Sequence, residues 1–297
     1  MAPPSMTRVT IGMPVYNGAA YIEQAIAAIE AQTLADFTVI AADNVSTDGS
    51  WEILQAWAAR DRRVILHRHG ENIGALANFR YVLDHAETPY FMWHAVDDWM
   101  SPSYLSALCP ILDAAPTCAL ACADVTRVLI DGSPKPRKAT QSFPELAGLS
   151  RRRRVTATLR SREAVWIYGL FRTDHIRRVQ QKVGDFGYVW SADRLMLLPF
   201  MLDDAVRGSA EAHFYSRAAG ASNQLYMPSS FPARLRFVTR YFAFSLRIYQ
   251  TSRLSGLDKL VLFPWLLWHA TRTCHSGFYK FYIKRPLKML SGRIKQR

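Results

Sequence analysis

Pro89-Tyr-Phe-Met-Trp-His-Ala-Val-Asp97-Asp98-Trp-Met-Ser-Pro102 is the stretch whose reading decides the fold. Its apolar, aromatic half is too short for an amphipathic helix and suits a buried strand. Two adjacent carboxylates follow, then a Ser-Pro that suits the opening of a helix, because proline's missing N–H has no partner in a first turn. Asp97 and Asp98 are therefore expected at the carboxyl end of a strand, the edge where open α/β sheets bind ligands. Neighbouring strand residues face opposite ways, which lets the pair do two jobs. One carboxylate would grip a divalent cation and the other a sugar hydroxyl; the plain structural alternative is a pair that caps the next helix.

Upstream, the same pattern repeats. Residues 9–15 read as a strand and Tyr16-Asn-Gly18 as a turn. Ala20, Ile22, Ala25, Ile26 and Ile29 then recur at helical spacing. A second strand, residues 37–42, ends at Asp43-Asn44, and Ser46-Thr-Asp-Gly-Ser50 starts a helix reaching about residue 60. Residues 64–66 form a third short strand, Asn72-Ile-Gly74 a loop, and residues 76–85 and 102–115 further helices. Alternation of this kind predicts a mostly parallel sheet of the nucleotide-binding type. No Gly-x-Gly-x-x-Gly follows the first strand and no Gly-x-x-x-x-Gly-Lys-Ser/Thr occurs, which sets aside a dinucleotide fold and a P-loop. What remains is acid at successive strand ends, Asp43 and then Asp97 and Asp98. A strand-end aspartate can accept from a nucleobase imide or a ribose hydroxyl.

Residues 8–50 resemble the opening of family 2 glycosyltransferases with the GT-A fold. The matching pieces are Pro14-Val-Tyr-Asn17, Tyr21-Ile22, Ala25-Ile26, Gln32 and Asp43-Asn-Val-Ser-Thr-Asp-Gly-Ser50. Asn72-Ile-Gly74 with Asn78 resembles the family's next loop, and Asp97-Asp98 falls where the family has its DxD-type motif. The resemblance extends over about residues 8–220. It implies that Asp43 contacts the base, with Pro14, Tyr16 and Asn17 lining its pocket and Gly74 beside the nucleotide. It also implies that Asp97 approaches the ribose and Asp98 ligates Mg²⁺ or Mn²⁺. A nucleotide-sugar diphosphate is a hard oxygen ligand, which suits either ion. Two positions depart from the family pattern: Ala95 stands where many members have Asp, and Val45 replaces the usual turn Gly.

Beyond the aspartate pair, residues 119–130 predict a strand and residues 131–155 a loop or insertion. Within it, the run Arg151–Arg154 is either a phosphate contact or a solvated surface. Residues 164–172 are aromatic and mixed in period, and resemble the family's acceptor-side segment. Asp193 then stands at the mouth of an apolar helix beginning near Leu195. Stabilising the positive helix end is its bland role. Trp190 offers an apolar wall that raises carboxylate basicity, and the position matches the family's catalytic acid; both favour a general base. Arg194 is then a structural or phosphate-neutralising neighbour. His213 in a strand-like stretch is expected to be structural or, as in some GT-A enzymes, a metal ligand. His94 reads as packed, and His67 and His69 as strand-surface residues.

The 297-residue chain is long enough for one large or two medium domains, and 49% apolar content makes it globular. Four cysteines at 109, 118, 122 and 274 lack metal-ligand spacing and fit a reducing compartment. The first eight residues have no apolar core, so no signal peptide is read there. The net charge of +13 is concentrated in residues 231–297, with 14 Lys/Arg against Asp258 alone. The expected division is a catalytic domain at 1–230 and a basic, aromatic helical tail at 231–297. Residues 259–268 are strongly apolar but too short to span a bilayer. They suit an anionic membrane surface, with Trp265 and Trp268 at headgroup level. Packing on the catalytic domain is the alternative. The tail's aromatics sit among Leu, Val and Ile, which stack poorly on bases, so no nucleic-acid partner is expected.

Together these readings give a metal-dependent, inverting transfer of a sugar from a nucleotide sugar, UDP preferred, to a lipid-linked or growing glycan. The expected location is cytoplasmic, peripheral on the inner membrane. The alternatives are a nucleotidyltransferase, disfavoured because Pro14-Val-Tyr-Asn-Gly18 lacks a basic Gly-rich loop, and a non-catalytic glycan-assembly or membrane scaffold.

Overall fold

The computed structural model describes residues 7–129, 131–133, 140–161, 163–217 and 226–278. The N-terminal leader call, most of the turn expected after Gly132 and the aromatic, lysine-rich run beyond residue 278 lie outside the described residues. Strands β1 (Val9–Val15), β2 (Phe37–Asp43), β3 (Val64–Arg68) and β4 (Tyr90–Trp93) alternate with helices α1 (Ile22–Glu30), α2 (Ser50–Arg60) and α3 (Ala75–Asp84). Then come β5 (Trp99–Met100), α4 (Tyr104–Ala114), β6 (Leu120–Val128), β7 (Thr140–Gln141) and α5 (Arg151–Ser161). A 3₁₀ turn at Ala164–Tyr168 leads to β8 (Leu170–Arg172), α6 (Thr173–Val183), α7 (Ala192–Leu202) and β9 (Val206–Arg217). Two long helices, α8 (Phe231–Gln250) and α9 (Gly256–Phe278), close the described chain.

The sheet order is β3-β2-β1-β4-β8-β6-β9-β5, with β7 on β6. β3, β2, β1 and β4 are parallel, and β8 runs antiparallel between β4 and β6. β6 and β9 are parallel, and β5 adds antiparallel to β9. The mostly parallel α/β sheet expected from the sequence is the one observed. All seven residues of β1 are buried, as a strand covered on both faces requires. Alternation in β4 splits the core: Phe91 and Trp93 join one apolar layer, Tyr90 and Met92 the other. Gly12 lets α3 close on β1, because a Cβ there would lie 2.7 Å from Val82 Cγ2 and 2.8 Å from Phe91.

Two readings are corrected here. Asp97 and Asp98 are not strand residues: β4 ends at Trp93, and the pair occupies the turn before β5. The two differ in burial rather than in strand face, Asp98 being buried and Asp97 half-buried. The arginine run is not loop either. It forms the first turn of α5, which buries Val155, Thr158 and Leu159, a helical spacing that the preceding four charges obscure in the sequence.

The C-terminal helices do not form a separate core. Phe237, Tyr241 and Ile248 of α8 and Leu262, Leu266 and Ala270 of α9 join the layer built by α7, β4 and β6. Each helix keeps an exposed apolar side as well, Leu260 being 75% exposed. No described helix is long and apolar enough to cross a membrane.

Candidate active site

The carboxyl ends of β1, β2 and β4 form one edge, on which the first group of expected residues meets. Val15 is registered with Asp43, so Tyr16 and Asn17 emerge beside the Asp43 turn. Asn17, in the left-handed region at φ 49°, accepts from Thr47 N–H at 2.9 Å, and its own N–H donates to Ser46 Oγ at 2.9 Å. Pro14 is buried within β1, whereas Tyr16 is half exposed. Asn44 joins this turn to the next loop, donating to Asn72 Oδ1 at 2.8 Å and accepting from Ile73 N–H at 2.9 Å. Gly74 follows at φ 81° and leads into α3. Val45, at φ 63°, holds a conformation that a β-branched residue adopts only under strain. A family position that normally carries Gly keeps its Gly-like backbone here without the Gly.

Asp43 itself is fully buried. Its carboxylate accepts from Ser46 N–H at 3.2 and 3.3 Å and lies 3.2 Å from Arg68 Nε. In this geometry it holds the turn, with the partly exposed Arg68 side chain beside it.

The aspartate turn packs directly against this edge: Val96 closes on Gly18, where a Cβ would lie 2.7 Å from Val96 Cγ2. Asp98 Oδ1 accepts from Arg217 N–H at 2.7 Å, which ties the turn to the end of β9. The Arg217 guanidinium donates to the Asp97 carbonyl and to Gln24 Oε1, each at 2.6 Å, and lies between the Tyr21 and Trp99 rings. Arg217 was not singled out in the sequence; nothing in a strand-like Ser-Arg signals that it meets a turn 120 residues earlier. Burial, then the charge of Asp97, hold the Asp98 carboxyl well above the usual range, against bonds from Arg217 N–H and Ser216. Asp97 is raised as well, by burial first, with Arg217 opposing.

Asp193 sits in the first turn of α7, half-buried, with Oδ1 accepting from the Arg194 N–H at 2.7 Å. Burial raises its pKa, the charge of Arg194 opposes that, and Glu163 adds to it. What joins the two groups is Tyr168. Its ring stacks on Phe214 at 5.1 Å, and its hydroxyl is held well above its ordinary pKa by burial and then by the charges of Asp98, Asp97 and Asp193. One phenol therefore senses all three carboxylates. The aromatic run 164–172 was the only sequence signal for it.

Two adjacent carboxyls, both pushed toward the neutral form by burial, are a hard-oxygen donor pair a divalent cation would relieve. No group of three His, Cys, Asp or Glu suited to a metal occurs among the described residues. His213 pairs its backbone with Ser101 and its ring tilts on Tyr215 at 6.1 Å. His94 is fully buried against Phe214, as expected. His67 and His69 are not simple surface residues: both rings lie on Tyr81, at 4.3 and 4.8 Å.

A mostly parallel sheet with carboxylates gathered at the strand ends and a further acid on a following helix defines a GT-A type enzyme fold. Residues 10–179 match the sequence model of Glycosyl transferase family 2, and the chain belongs to that family. It is similar to Glycosyltransferase GlyA of Streptococcus pneumoniae, 30% identical over 101 residues, which are 34% of this chain and 14% of that protein. An uncharacterised glycosyltransferase of Haemophilus influenzae is 32% identical over 97 residues, 33% of this chain and 39% of the other. The match thus spans well under half the length of either relative. Among solved structures, S. aureus TarS 1–349 in complex with UDP-GlcNAc superposes with a TM-score of 0.71 at 14% identity, covering 93% of this chain and 76% of that one. The mannosyltransferase PcManGT from Pyrobaculum calidifontis, in complex with GDP-Man and Mn²⁺, gives 0.54 at 17% identity, covering 97% and 79%.

Proposed function

We propose that this glycosyltransferase moves a sugar from a nucleotide sugar, UDP-linked by preference, to a hydroxyl of a lipid-linked or growing glycan with inversion at the anomeric carbon. The observation that carries the reading is the sheet edge where Asp43 ends β2 beside the end of β1 and the Asp97–Asp98 turn packs on Gly18 through Val96. Asp43, Pro14, Tyr16, Asn17 and Gly74 would border the base and Asp97 the ribose. The UDP-GlcNAc bound to TarS and the GDP-Man bound to PcManGT support a donor of this class.

Asp98, with Asp97 adjacent, would hold Mg²⁺ or Mn²⁺, which when bound neutralises charge on the leaving diphosphate. Asp193 takes the proton from the acceptor hydroxyl. The freed oxygen bonds to the anomeric carbon as the bond to the diphosphate breaks, and the nucleoside diphosphate leaves. A single displacement with no protein nucleophile inverts the centre. Burial keeps Asp193 basic enough for the task, and Arg194 keeps it ionisable.

The acceptor reading rests on the C-terminal helices. Eight of the fourteen exposed large apolar side chains among the described residues lie between Phe231 and Leu267. Together with the basic tail they suit an anionic bilayer surface, where lipid-linked glycans are met. Leu260→Glu with Val261→Glu should abolish co-sedimentation with phosphatidylglycerol vesicles, and unchanged binding removes the membrane from the proposal.

Asp193→Asn tests the catalytic assignment. Transfer should fall by about 100-fold or more while calorimetric donor affinity stays within about twofold. Asp98→Ala should lose the Mn²⁺ dependence of donor binding; full transfer in Asp193→Asn, or Mn²⁺-dependent donor affinity kept in Asp98→Ala, refutes the respective role.

A further inference from the structure

One cavity in the described structure lies away from the carboxylate edge. It has a volume of about 420 Å³ and opens at the other end of α7, where Asp203 and Asp204 follow the helix. Asp193 occupies the first turn of this 11-residue helix, so roughly 16 Å of helix separates the two places.

Four guanidinium groups line the cavity, those of Arg151, Arg154, Arg207 and Arg253, against two carboxylates, Asp203 and Asp204. The pairing among them is incomplete. Arg154 and Arg207 share Asp204, with Arg154 Nε 3.0 Å from both carboxylate oxygens and Arg207 Nη1 3.3 Å from one. Arg253 takes Asp203 through its backbone N–H at 2.7 Å, while its guanidinium, on a side chain 78% exposed, stays 4.0 Å away. Arg151 lies 3.9 Å from Asp258, which also takes Arg152, and its Nη2 donates to the Arg253 carbonyl at 3.2 Å, so no carboxylate neutralises it alone. Two positive charges are left over, the charge of a phosphate-ester dianion. The start of α5, at Arg151, adds its positive helix end to the same wall. Phe200 and Val179 supply apolar lining for the organic part of a ligand. The size is that of a small-molecule site. His175 also lines the cavity, its pKa lowered by burial first and then by nearby arginines, of which Arg253 is a lining residue.

We propose that this cavity is a second binding site, separate from the donor site, for a small phosphate monoester. Planar guanidinium forks match phosphate oxygens, and Arg151 and Arg253 are the two placed to close on it. Arg154 and Arg207 hold the acidic loop in place beneath. The shared chemistry of a soluble phosphate ester and a phosphate lipid headgroup is what these residues read.

The test is calorimetric titration of metal-free protein with inorganic phosphate, then with glycerol 3-phosphate and with dihexanoyl phosphatidic acid below its micelle concentration. The double variant Arg151→Gln/Arg253→Gln serves as the comparison. Expected is saturable one-site binding that persists in Asp98→Ala and is undisturbed by UDP, with affinity at least tenfold lower in the double variant. Tighter binding of the lipid than of glycerol 3-phosphate assigns the ligand to a headgroup, and equal binding assigns it to a soluble ester. Absence of saturable binding to all three probes, or equal affinity in the double variant, overturns the proposal. The unfolding midpoint of the double variant is measured alongside. Because Arg253 is mostly exposed and the Arg154–Asp204 pair is kept, that midpoint should stay near that of the wild type.

Discussion

Replacing His94 by Phe should flatten a specific part of the protein's response to acid. The His94 ring is fully buried, with Nδ1 donating to the Ala95 carbonyl at 2.9 Å and Nε2 without a partner. Burial pushes its pKa down to about 4, and the bond to Ala95 only partly opposes this. In the unfolded chain the same imidazole titrates near 6.5. Between those values the unfolded state binds a proton that the native state refuses. The stability His94 leaves intact is therefore complete above about 6.5, falls as pH drops, and levels off below about 4. A depression of about 2.5 units corresponds to about 3 kcal/mol, a sizeable part of a typical folding free energy. Urea unfolding followed by tryptophan fluorescence, run on wild type and His94→Phe across that pH range, isolates the effect, since carboxylates common to both cancel in the difference. Phe fills the ring's space beside Phe214 and removes the partnerless nitrogen, so it should be tolerated at neutral pH. The wild type should lose about 3 kcal/mol relative to the variant between the two ends. A pH-independent difference would mean that the native imidazole is hydrated or charged, and the reasoning from burial would fail.

Two further substitutions probe the edge where the site is built. Arg217→Met removes two short guanidinium bonds and a ring sandwich. It should lower stability by about 2–3 kcal/mol in urea unfolding; an unchanged midpoint would show that the Asp97–Asp98 turn does not depend on that clamp. Val45→Gly relieves a left-handed β-branched residue, worth about 1–2 kcal/mol, against about 0.5–1 kcal/mol for the freer unfolded chain. The midpoint should rise slightly, and a fall would show that the half-buried Val45 side chain contributes more than its backbone costs.

The first 115 residues were legible because each strand there is a continuous apolar run between turn residues, and α1 repeats Ile22, Ala25, Ile26 and Ile29 on one face. Positions at strand ends could be read for the same reason, so Asp43 and the aspartate pair were placed at the correct edge. What the pattern could not convey was distance in space. Arg217 and Tyr168 act on residues far from them in sequence, and no local signal marks that meeting. The burial of Asp43 behind Arg68 was equally hidden, because a strand-end aspartate looks the same whether its carboxylate is open or covered. α5 was missed because four consecutive arginines outweigh the short apolar stripe of Val155 and Leu159 in any local window.

The bond from Arg217 N–H to Asp98 bears on how the protein is made as well as on how it works. The four parallel strands β1 to β4 are complete by Trp93, but β5 gains its partner only when β9 docks. The residues of the β1–β4 edge thus precede, by more than 100 positions, the strand that fixes the aspartate turn. Joining β6 to β9 is a long-range pairing of the kind that slows folding. The aspartate turn thus gains its tie to the sheet only after residue 217 has been made and β9 has joined β6.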